Sequence, residues 1–220
     1  MKLYPHYGFG DYVICYGLVR ELAKESNVVL FVKEHLSELH LDNVRRLYSS
    51  IDKVEIVTDD PKPDPDVVYL GWDELFKAVD EGYGLTASEY FYNQLNIPLN
   101  LLWDNFYFKR DIEKEKGIYH GIVKGEYVFI LDDKSRGFTI RDEYIPKGVQ
   151  VVRLNEYPNV SVLDCLYLVE NAKEVHLSNT GLVSFIDQMG IRHDRLNYHR
   201  YTRPATFEQP LLRLNWDIID

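Results

Sequence analysis

The 220-residue chain is poor in cysteine and has no long apolar segment. No run of about 18 apolar residues occurs, which excludes a transmembrane helix of ordinary length. The opening residues MKLYPHYGFGDY lack the apolar core of a signal peptide. Cys15 and Cys165 have no Cys-x-x-Cys or Cys/His zinc spacing, so we expect both to be buried, reduced thiols. These absences favour a soluble, cytoplasmic protein.

Several sequence signatures of catalysis are also absent. The chain has no G-x-x-x-x-G-K-[ST] phosphate loop and no Gly-x-Ser-x-Gly nucleophile elbow. His176, His193 and His199 are not spaced as metal ligands. P-loop nucleotide binding is therefore excluded, and the histidines give no sequence signal for a metal centre.

Acidic residues are in excess, with 35 Asp and Glu against 25 Lys and Arg and a net charge of −10. This balance argues against a general affinity for nucleic acid or for an anionic membrane. The arginines, in contrast, are concentrated beyond residue 120: Arg136, Arg141, Arg153, Arg192, Arg195, Arg200, Arg203 and Arg213. Because the guanidinium fork suits phosphate oxygens, we expect a phosphate-bearing ligand in this part. A solvated surface that prefers Arg to Lys is the alternative.

Short β-rich runs alternate with longer helical runs, a pattern typical of parallel sheets with crossover helices. The clearest predicted strands are Asn27–Val32, Val67–Leu70, Tyr127–Leu131 and Glu174–Leu177. A charged run at 109–126 separates two such α/β halves and is the expected seam between them. The tail beyond Asn197 is predicted to be irregular at first and to close with a short element within 211–219.

A glycine-containing loop, His6–Asp11 (HYGFGD), follows a first predicted strand at Lys2–Tyr4, which Pro5 ends. Two glycines allow a tight turn close to a ligand, and the free N–H groups of the following helix suit an anion. Position 13 is valine, so the third glycine of the dinucleotide-binding fingerprint is absent. Asp11 either caps the helix or takes part in the chemistry of the site.

A second polar loop, Ser178–Gly181 (SNTG), stands between a strand and a helix in the second half. Hydroxyl and amide side chains with a glycine at a helix start suit a diphosphate group. Simple capping of the helix by Asn179 or Thr180 explains the same residues.

A third polar loop, 132–137 (DDKSRG), follows the strand that opens the second half. Lys134, Ser135 and Arg136 are candidates to hold phosphate oxygens, and a solvated turn is the alternative. No third acid accompanies Asp132 and Asp133 in sequence, so we do not expect a metal site here.

Taken in order, these segments resemble the heptosyltransferase-like branch of the GT-B glycosyltransferases. The family's Gly-x-Gly-Asp loop before the first helix is matched by Gly8–Asp11, and its late Asp-Thr-Gly-Leu motif by Asn179–Leu182. The stretch 87–98 (ASEYFYNQLNIP) is similar to the family's mid-chain helix and linker. Short glycosyltransferase-like proteins of large viruses and phages look similar at 132–138 (DDKSRGF) and at Asn197–Pro204.

The resemblance implies an α/β fold with two small Rossmann-like domains facing a central cleft. Residues 1–118 would form the acceptor-side domain, and residues 119–220 the nucleotide-sugar-binding domain. The reaction would be an inverting, metal-independent transfer of a sugar from a nucleotide-diphosphate sugar to a glycan or other hydroxyl acceptor. No cofactor and no nucleic-acid partner would be needed, and the site of action would be the cytoplasm, or the host cytoplasm if the protein is viral.

The resemblance also implies roles for single residues. Asp11 would be the general base that takes the proton of the acceptor hydroxyl. The substrate-binding residues would be His6, Gly8, Phe9, Gly10, Lys134, Ser135, Arg136, Ser178, Asn179, Thr180 and Gly181.

Two features depart from the family pattern. Asn179 stands where the pattern has Asp, and the chain is much shorter than a usual GT-B enzyme. Two alternatives therefore stay open. One is a degenerate GT-B domain that binds nucleotide or glycan without catalysis. The other is a nucleotide-sugar epimerase of the same architecture, for which the sequence shows no converging set of acids and a basic residue.

Overall fold

Both halves of the chain form parallel sheets with connecting helices, as the alternating pattern predicts. The computed structural model describes residues 1–5, 8–33, 37–59, 61, 64–71, 86–202 and 209–220. The chain divides into two compact units, Met1–Phe108 and Lys109–Asp220. Within the described residues, no helix has the length and apolarity needed to cross a bilayer.

The first unit contains a four-stranded parallel sheet in the order β3-β2-β1-β4. Its strands are β1 (Lys2–Pro5), β2 (Val28–Val32), β3 (Val54–Thr58) and β4 (Val67–Leu70). Its helices among the described residues are α1 (Phe9–Glu25), α2 (Glu38–Tyr48), α3 (Ala87–Gln94) and α4 (Leu101–Asp104). The strand order reverses between β1 and β4, so the loop after β1 lies at the point where an open α/β sheet binds ligands.

Tyrosine supplies much of the core of the first unit. The rings of Tyr12, Tyr48 and Tyr92 are buried, and each hydroxyl donates to a backbone carbonyl. Tyr48 donates to the carbonyl of Tyr12 at 2.6 Å, and Tyr92 to that of Ile14 at 3.2 Å. Because a buried hydroxyl without a partner is costly, these bonds let α1 pack against α2, α3 and β2 through aromatic side chains.

The second unit contains a five-stranded parallel sheet in the order β6-β5-β7-β8-β9. Its strands are β5 (Tyr127–Leu131), β6 (Gln150–Arg153), β7 (Glu174–Leu177), β8 (Leu196–His199) and β9 (Trp216–Ile219). Its α-helices are α5 (Ile112–Ile122), α6 (Leu166–Glu170) and α7 (Gly181–Met189). Every residue of β5 and β7 is buried, as expected for central strands of a parallel sheet.

The charged run predicted as the seam forms a helix of the second unit. Glu115 on α5 is fully buried, where it accepts two hydrogen bonds from the Arg110 guanidinium at 2.6 and 3.0 Å. Arg110 also bonds Glu170 at the end of α6. A pattern of charges normally indicates a solvated segment, but here Arg110 compensates the burial of Glu115. The boundary predicted at residue 118 falls inside α5, and the two units separate after Phe108.

The C-terminal tail is attached to α7 through Asp187, whose carboxylate is buried. The amides of Arg213 and Leu214 donate to it at 2.9 Å, and the indole Nε1 of Trp216 donates at 3.1 Å. These bonds place β9 beside β8, inside the short closing element that the sequence predicts. Strand β8 itself falls in a stretch that the sequence predicts as irregular.

Candidate functional site

The second sheet has its switch point between β5 and β7, because β5 connects to β6 on one side while β7 lies on the other. Ligands of open α/β sheets bind at the carboxyl ends of the strands at this point. Leu131 and Leu177, the last residues of the two strands, are paired, and the amide of Ser178 donates to the Leu131 carbonyl at 3.1 Å. The two predicted phosphate loops therefore begin side by side.

Asp132 fixes the start of the loop after β5. Its buried carboxylate accepts a hydrogen bond from Arg153 Nη1 at 2.8 Å and one from the amide of Ile140, also at 2.8 Å. The side chain of Asn155 bonds both the amide and the carbonyl of Asp132, at 2.9 and 3.2 Å. The carboxylate is thus committed to holding the loop. The sequence did not indicate that Arg153 and Asn155 hold this loop, because their only signal is a position at the end of a neighbouring strand and just after it.

Lys134, Ser135 and Arg136 form a single 3₁₀ turn. Gly137 ends the turn with φ of 76°, a left-handed conformation that favours glycine. The carbonyl of Asp133 accepts from the amides of Arg136 and Phe138 at 3.1 and 3.0 Å. The side chains of Lys134 and Arg136 are exposed, so two cationic groups stand on a fixed turn at the carboxyl edge of the sheet.

In the loop after β7, one polar side chain bonds within the sheet and the next two are partly exposed. Ser178 is fully buried, and its hydroxyl donates to the Leu131 carbonyl at 3.1 Å. Asn179 and Thr180 are half-buried, and Thr180 is the N-cap of α7, with Gly181 as the first helical residue. Thr180 Oγ1 is buried and has no hydrogen-bond partner among the described residues. A hydroxyl in this state can donate to a ligand oxygen at the helix N-terminus.

In the first unit, hydrogen bonds between Gly8 and Asp11 cap the N-terminus of α1. The Gly8 amide donates to Asp11 Oδ2 at 3.2 Å, and the Asp11 amide donates to the Gly8 carbonyl at 3.0 Å. Phe9 and Gly10 are the first two residues of α1. Gly8 is thus the N-cap and Asp11 the third residue of α1, so Asp11 supports the cap from inside the helix and is not itself the N-cap that the sequence suggested. His6, the remaining residue predicted for this loop, lies outside the described residues, as do the last two residues of the 197–204 segment.

His40 on α2 lies beside this loop, although nothing in the sequence pointed to it. Its ring contacts the rings of Phe9 and Tyr12 edge-on, with centroids 5.8 and 6.3 Å apart. Nε2 of His40 is buried and has no hydrogen-bond partner among the described residues. Burial lowers the pKa of His40 to about 4, so the ring is neutral near pH 7.

The titratable groups form no metal centre in the part of the chain that the structure describes: no three His, Cys, Asp or Glu residues are grouped to hold an ion. Asp132 is instead paired with Arg153. Cys15 and Cys165 are buried free thiols, as predicted, and burial raises the pKa of both.

Comparisons with known proteins support the fold class. No family model matches the chain, and no curated protein does. Among solved structures, the fold is similar to the crystal structure of the glycosyl transferase family 9 protein from Veillonella parvula DSM 2008. The TM-score is 0.50 at 8% identity, over 90% of this chain and 79% of that chain. At this identity the likeness concerns the fold, which is α/β with two parallel Rossmann-type sheets, consistent with a GT-B-like architecture.

Proposed function

We propose that the protein is a glycosyltransferase that moves a sugar from a nucleotide-diphosphate sugar to a glycan or other hydroxyl acceptor. The observation that carries the proposal is the pairing of Leu131 with Leu177, which sets two polar loops side by side at the switch point of the second sheet. The fold likeness to a family 9 glycosyl transferase supports the same class of reaction.

The donor diphosphate is proposed to lie between the two loops of the second unit. Lys134 and Arg136 are exposed on a turn that the Asp132 contacts hold in place. Across the switch point, the Thr180 hydroxyl and the N-terminus of α7 supply hydrogen-bond donors. Preorganised donors of this kind stabilise the charge that develops on a leaving diphosphate, without a divalent metal. The role of Ser178 is to join the two strands, because its hydroxyl donates within the sheet.

Asp11 is proposed as the general base, acting on an acceptor hydroxyl at the first unit. Its carboxylate takes the hydroxyl proton while the acceptor oxygen forms a bond to the anomeric carbon. The bond from that carbon to the diphosphate oxygen breaks, and the nucleoside diphosphate leaves with the electron pair. Attack opposite the leaving group inverts the anomeric centre. The central cleft, the cytoplasmic location and the likeness to short viral and phage proteins stay predictions.

Binding without catalysis is the second candidate function. It is favoured by the hydrogen bond that Asp11 Oδ2 accepts from Gly8 and by Asn179 in place of the family's Asp. In this alternative the same loops hold a nucleotide, but Asp11 only caps α1.

The test is a transfer assay with the purified chain, a panel of nucleotide-diphosphate sugars and a panel of glycan acceptors. The proposal predicts release of the nucleoside diphosphate together with an acceptor heavier by one sugar, detected by mass spectrometry. Nucleotide binding without product would support the binding domain, and conversion of the donor sugar without an acceptor would support an epimerase. No binding and no product with any donor would overturn the proposal.

A further inference from the structure

Two histidines and a glutamate form a continuous hydrogen-bonded chain in the second sheet. Nδ1 of His176 lies 2.8 Å from Nε2 of His199, and Nε2 of His176 lies 3.2 Å from Oε2 of Glu174. Arg195 Nη1 donates to the other carboxylate oxygen, Oε1. His199 is 0% exposed, His176 2% and Glu174 9%. The chain forms because β7 and β8 are parallel neighbours, a relation that the spacing of 23 residues between the histidines does not reveal.

The Glu174 carboxylate fixes the protons along this chain. A carboxylate only accepts hydrogen bonds, so Nε2 of His176 carries a proton. Nδ1 of a neutral His176 is then an acceptor, and Nε2 of His199 must supply the proton between the rings. Nδ1 of His199 is therefore left with a lone pair.

Both rings are neutral at pH 7, as this order of protons requires. Burial lowers the pKa of His199 to about 4, and the adjacent His176 acts in the same direction. Burial also lowers the pKa of His176, although Glu174 partly opposes the shift.

Nδ1 of His199 is buried, and no described residue lies within hydrogen-bonding distance of it. His199 is the last residue of β8, and Leu177 pairs with Tyr198, so His199 stands next to Ser178 at the carboxyl edge of the sheet. This edge carries the loops proposed to hold the donor. Nδ1 is covered in the free protein, so a ligand hydroxyl reaches it only when the neighbouring side chains move aside on binding. A buried acceptor without a donor at this edge is a group that such a hydroxyl would satisfy.

We propose that Nδ1 of His199 accepts a hydrogen bond from a hydroxyl of the nucleotide sugar, either on the ribose or on the transferred sugar. Glu174 and His176 are positioning residues, since they keep His199 in the tautomer that accepts. This inference rests on the proposed function, because it uses the same carboxyl edge of the second sheet.

The surroundings of His199 favour a hydroxyl over a phosphate. Phosphate oxygens and the Nδ1 lone pair are both acceptors, so a phosphate gains nothing from this nitrogen. The rings of Tyr144 and Tyr201 lie with their centroids 5.5 and 5.4 Å from that of His199. Their apolar surfaces suit the C–H groups that alternate with hydroxyls around a sugar ring.

The first test measures the ring nitrogens of His199 by long-range ¹H–¹⁵N NMR on the full chain, assigned with a His199→Asn variant. We expect a protonated Nε2 and a bare Nδ1 in the free protein, and an upfield shift of Nδ1 when UDP-, GDP- or ADP-sugars bind. The Gly181 amide reports nucleotide binding separately. A protonated Nδ1 in the free protein overturns the proposal. If nucleotide shifts the Gly181 amide signal but not the Nδ1 signal of His199, this inference alone is overturned. If nucleotide shifts neither signal, the proposed function is overturned as well.

The second test compares affinities for the same nucleotide sugars by calorimetry. Replacing His199 by Phe should weaken binding about tenfold, while His199→Asn, which keeps a polar group near Nδ1, should recover part of the loss. His120→Phe, at an exposed position on α5, is the matched control. If His199→Phe and the wild type bind a 2′-deoxynucleotide sugar equally well, the hydroxyl that bonds His199 is the ribose 2′-hydroxyl. If His199→Phe still binds this analogue more weakly, the hydroxyl lies on the transferred sugar or at the ribose 3′ position. Equal affinity of the wild type and a folded His199→Phe variant for every nucleotide sugar contradicts the proposal.

A third variant tests the positioning role. In Glu174→Gln the amide can accept from His176 or donate to it, so both orders of protons along the chain become possible. We expect part of the His199 population to carry a proton on Nδ1 in this variant. An unchanged His199 tautomer in Glu174→Gln would show that Glu174 does not fix it.

Discussion

Gly8 and Asp11 bond each other in both directions, with the Gly8 amide 3.2 Å from Asp11 Oδ2 and the Asp11 amide 3.0 Å from the Gly8 carbonyl. The carboxylate therefore sits at the first turn of α1, where negative charge also interacts favourably with the helix dipole. Capping and base catalysis are compatible at one carboxylate, because it has two oxygens. The Asp11→Asn substitution separates the two roles.

Asp11→Asn should leave folding and nucleotide affinity nearly intact, because the amide oxygen still accepts from Gly8. The amide cannot take the acceptor proton, so turnover should fall by roughly 10²–10⁴-fold. The measurement is turnover in the transfer assay beside nucleotide affinity. Asp42→Asn, at an exposed position on α2, is the control. Near-normal turnover of Asp11→Asn would assign the base to another acid.

Arg136→Ala should weaken binding of a nucleoside diphosphate by roughly 1–3 kcal/mol, the scale of a charge-assisted contact. Arg136 is exposed on the turn beside the switch point, so the fold should tolerate the change. Arg192→Ala removes another exposed arginine, close to the amino end of β8, and should leave the affinity unchanged. If calorimetry gives Arg136→Ala the same affinity for the nucleoside diphosphate as Arg192→Ala and the wild type, Arg136 is not part of the site.

Gly17→Ala should destabilise the first unit, because α1 and α4 meet at this glycine. A Cβ at position 17 would stand 2.0 Å from the Leu101 carbonyl oxygen and 2.7 Å from the Tyr92 hydroxyl. We expect a loss of about 1–3 kcal/mol or more in the free energy of unfolding, measured with urea. Gly121→Ala in α5 meets nothing within 4 Å and should gain about 0.5–1 kcal/mol from helix propensity. A Gly17→Ala protein as stable as the wild type would show that the two helices do not approach this closely.

Stability should fall as the pH drops from 6.5 towards 4, through His40 and His199. Both have a folded-state pKa of about 4 against an ordinary value of 6.5. Within this window the unfolded chain binds protons that the folded protein does not, so each histidine contributes stability above pH 6.5 that is lost on acidification. The expected slope is about 1.4 kcal/mol per pH unit for each histidine at the middle of the window.

The slope is measured by urea unfolding at a series of pH values. The titratable groups around His199 are His176, which bonds it, Glu174, which bonds His176, and Tyr144 and Tyr201, whose rings lie beside it. Carboxylates elsewhere in the chain are the same in all variants. His199→Asn and His40→Asn should each flatten the curve between pH 4 and 6.5, while His120→Gln should leave it as in the wild type. A His199→Asn curve parallel to that of the wild type would mean that His199 is not buried as a neutral ring.

The sequence predicts the framework of the fold well where local pattern is strong. Strands such as Val28–Val32 and Tyr127–Leu131 are dense apolar runs, and the structure has them within a residue of the prediction. The polar loops after β5 and β7 were predicted separately, and the structure places them together at one edge. Their proximity follows from strand order, which short sequence patterns do not encode.

Long-range pairing accounts for what the sequence did not reveal. Glu115 looked solvated because its neighbours are charged, yet Arg110 holds it in the core. Strand β8 contains Asn197 and ends at His199, so it lacks the apolar run of a central strand. It is stabilised by neighbours on both sides in the sheet. Likewise, the sequence around Asp132 is typical of a turn, whereas the structure pairs its carboxylate with Arg153.

The central claim is tested most directly by titrating the intact chain with nucleoside diphosphates in a calorimeter, in the presence of EDTA. The account predicts saturable one-to-one binding of at least one of UDP, GDP, ADP or CDP, because basic side chains and the N-terminus of α7 take the place of a metal at the diphosphate. Adding Mg²⁺ in place of EDTA should leave the affinity unchanged, and the matching monophosphate should bind more weakly. Binding that appears only with a divalent ion would contradict metal independence. Absence of nucleoside-diphosphate binding under every condition would contradict the assignment as a nucleotide-sugar glycosyltransferase.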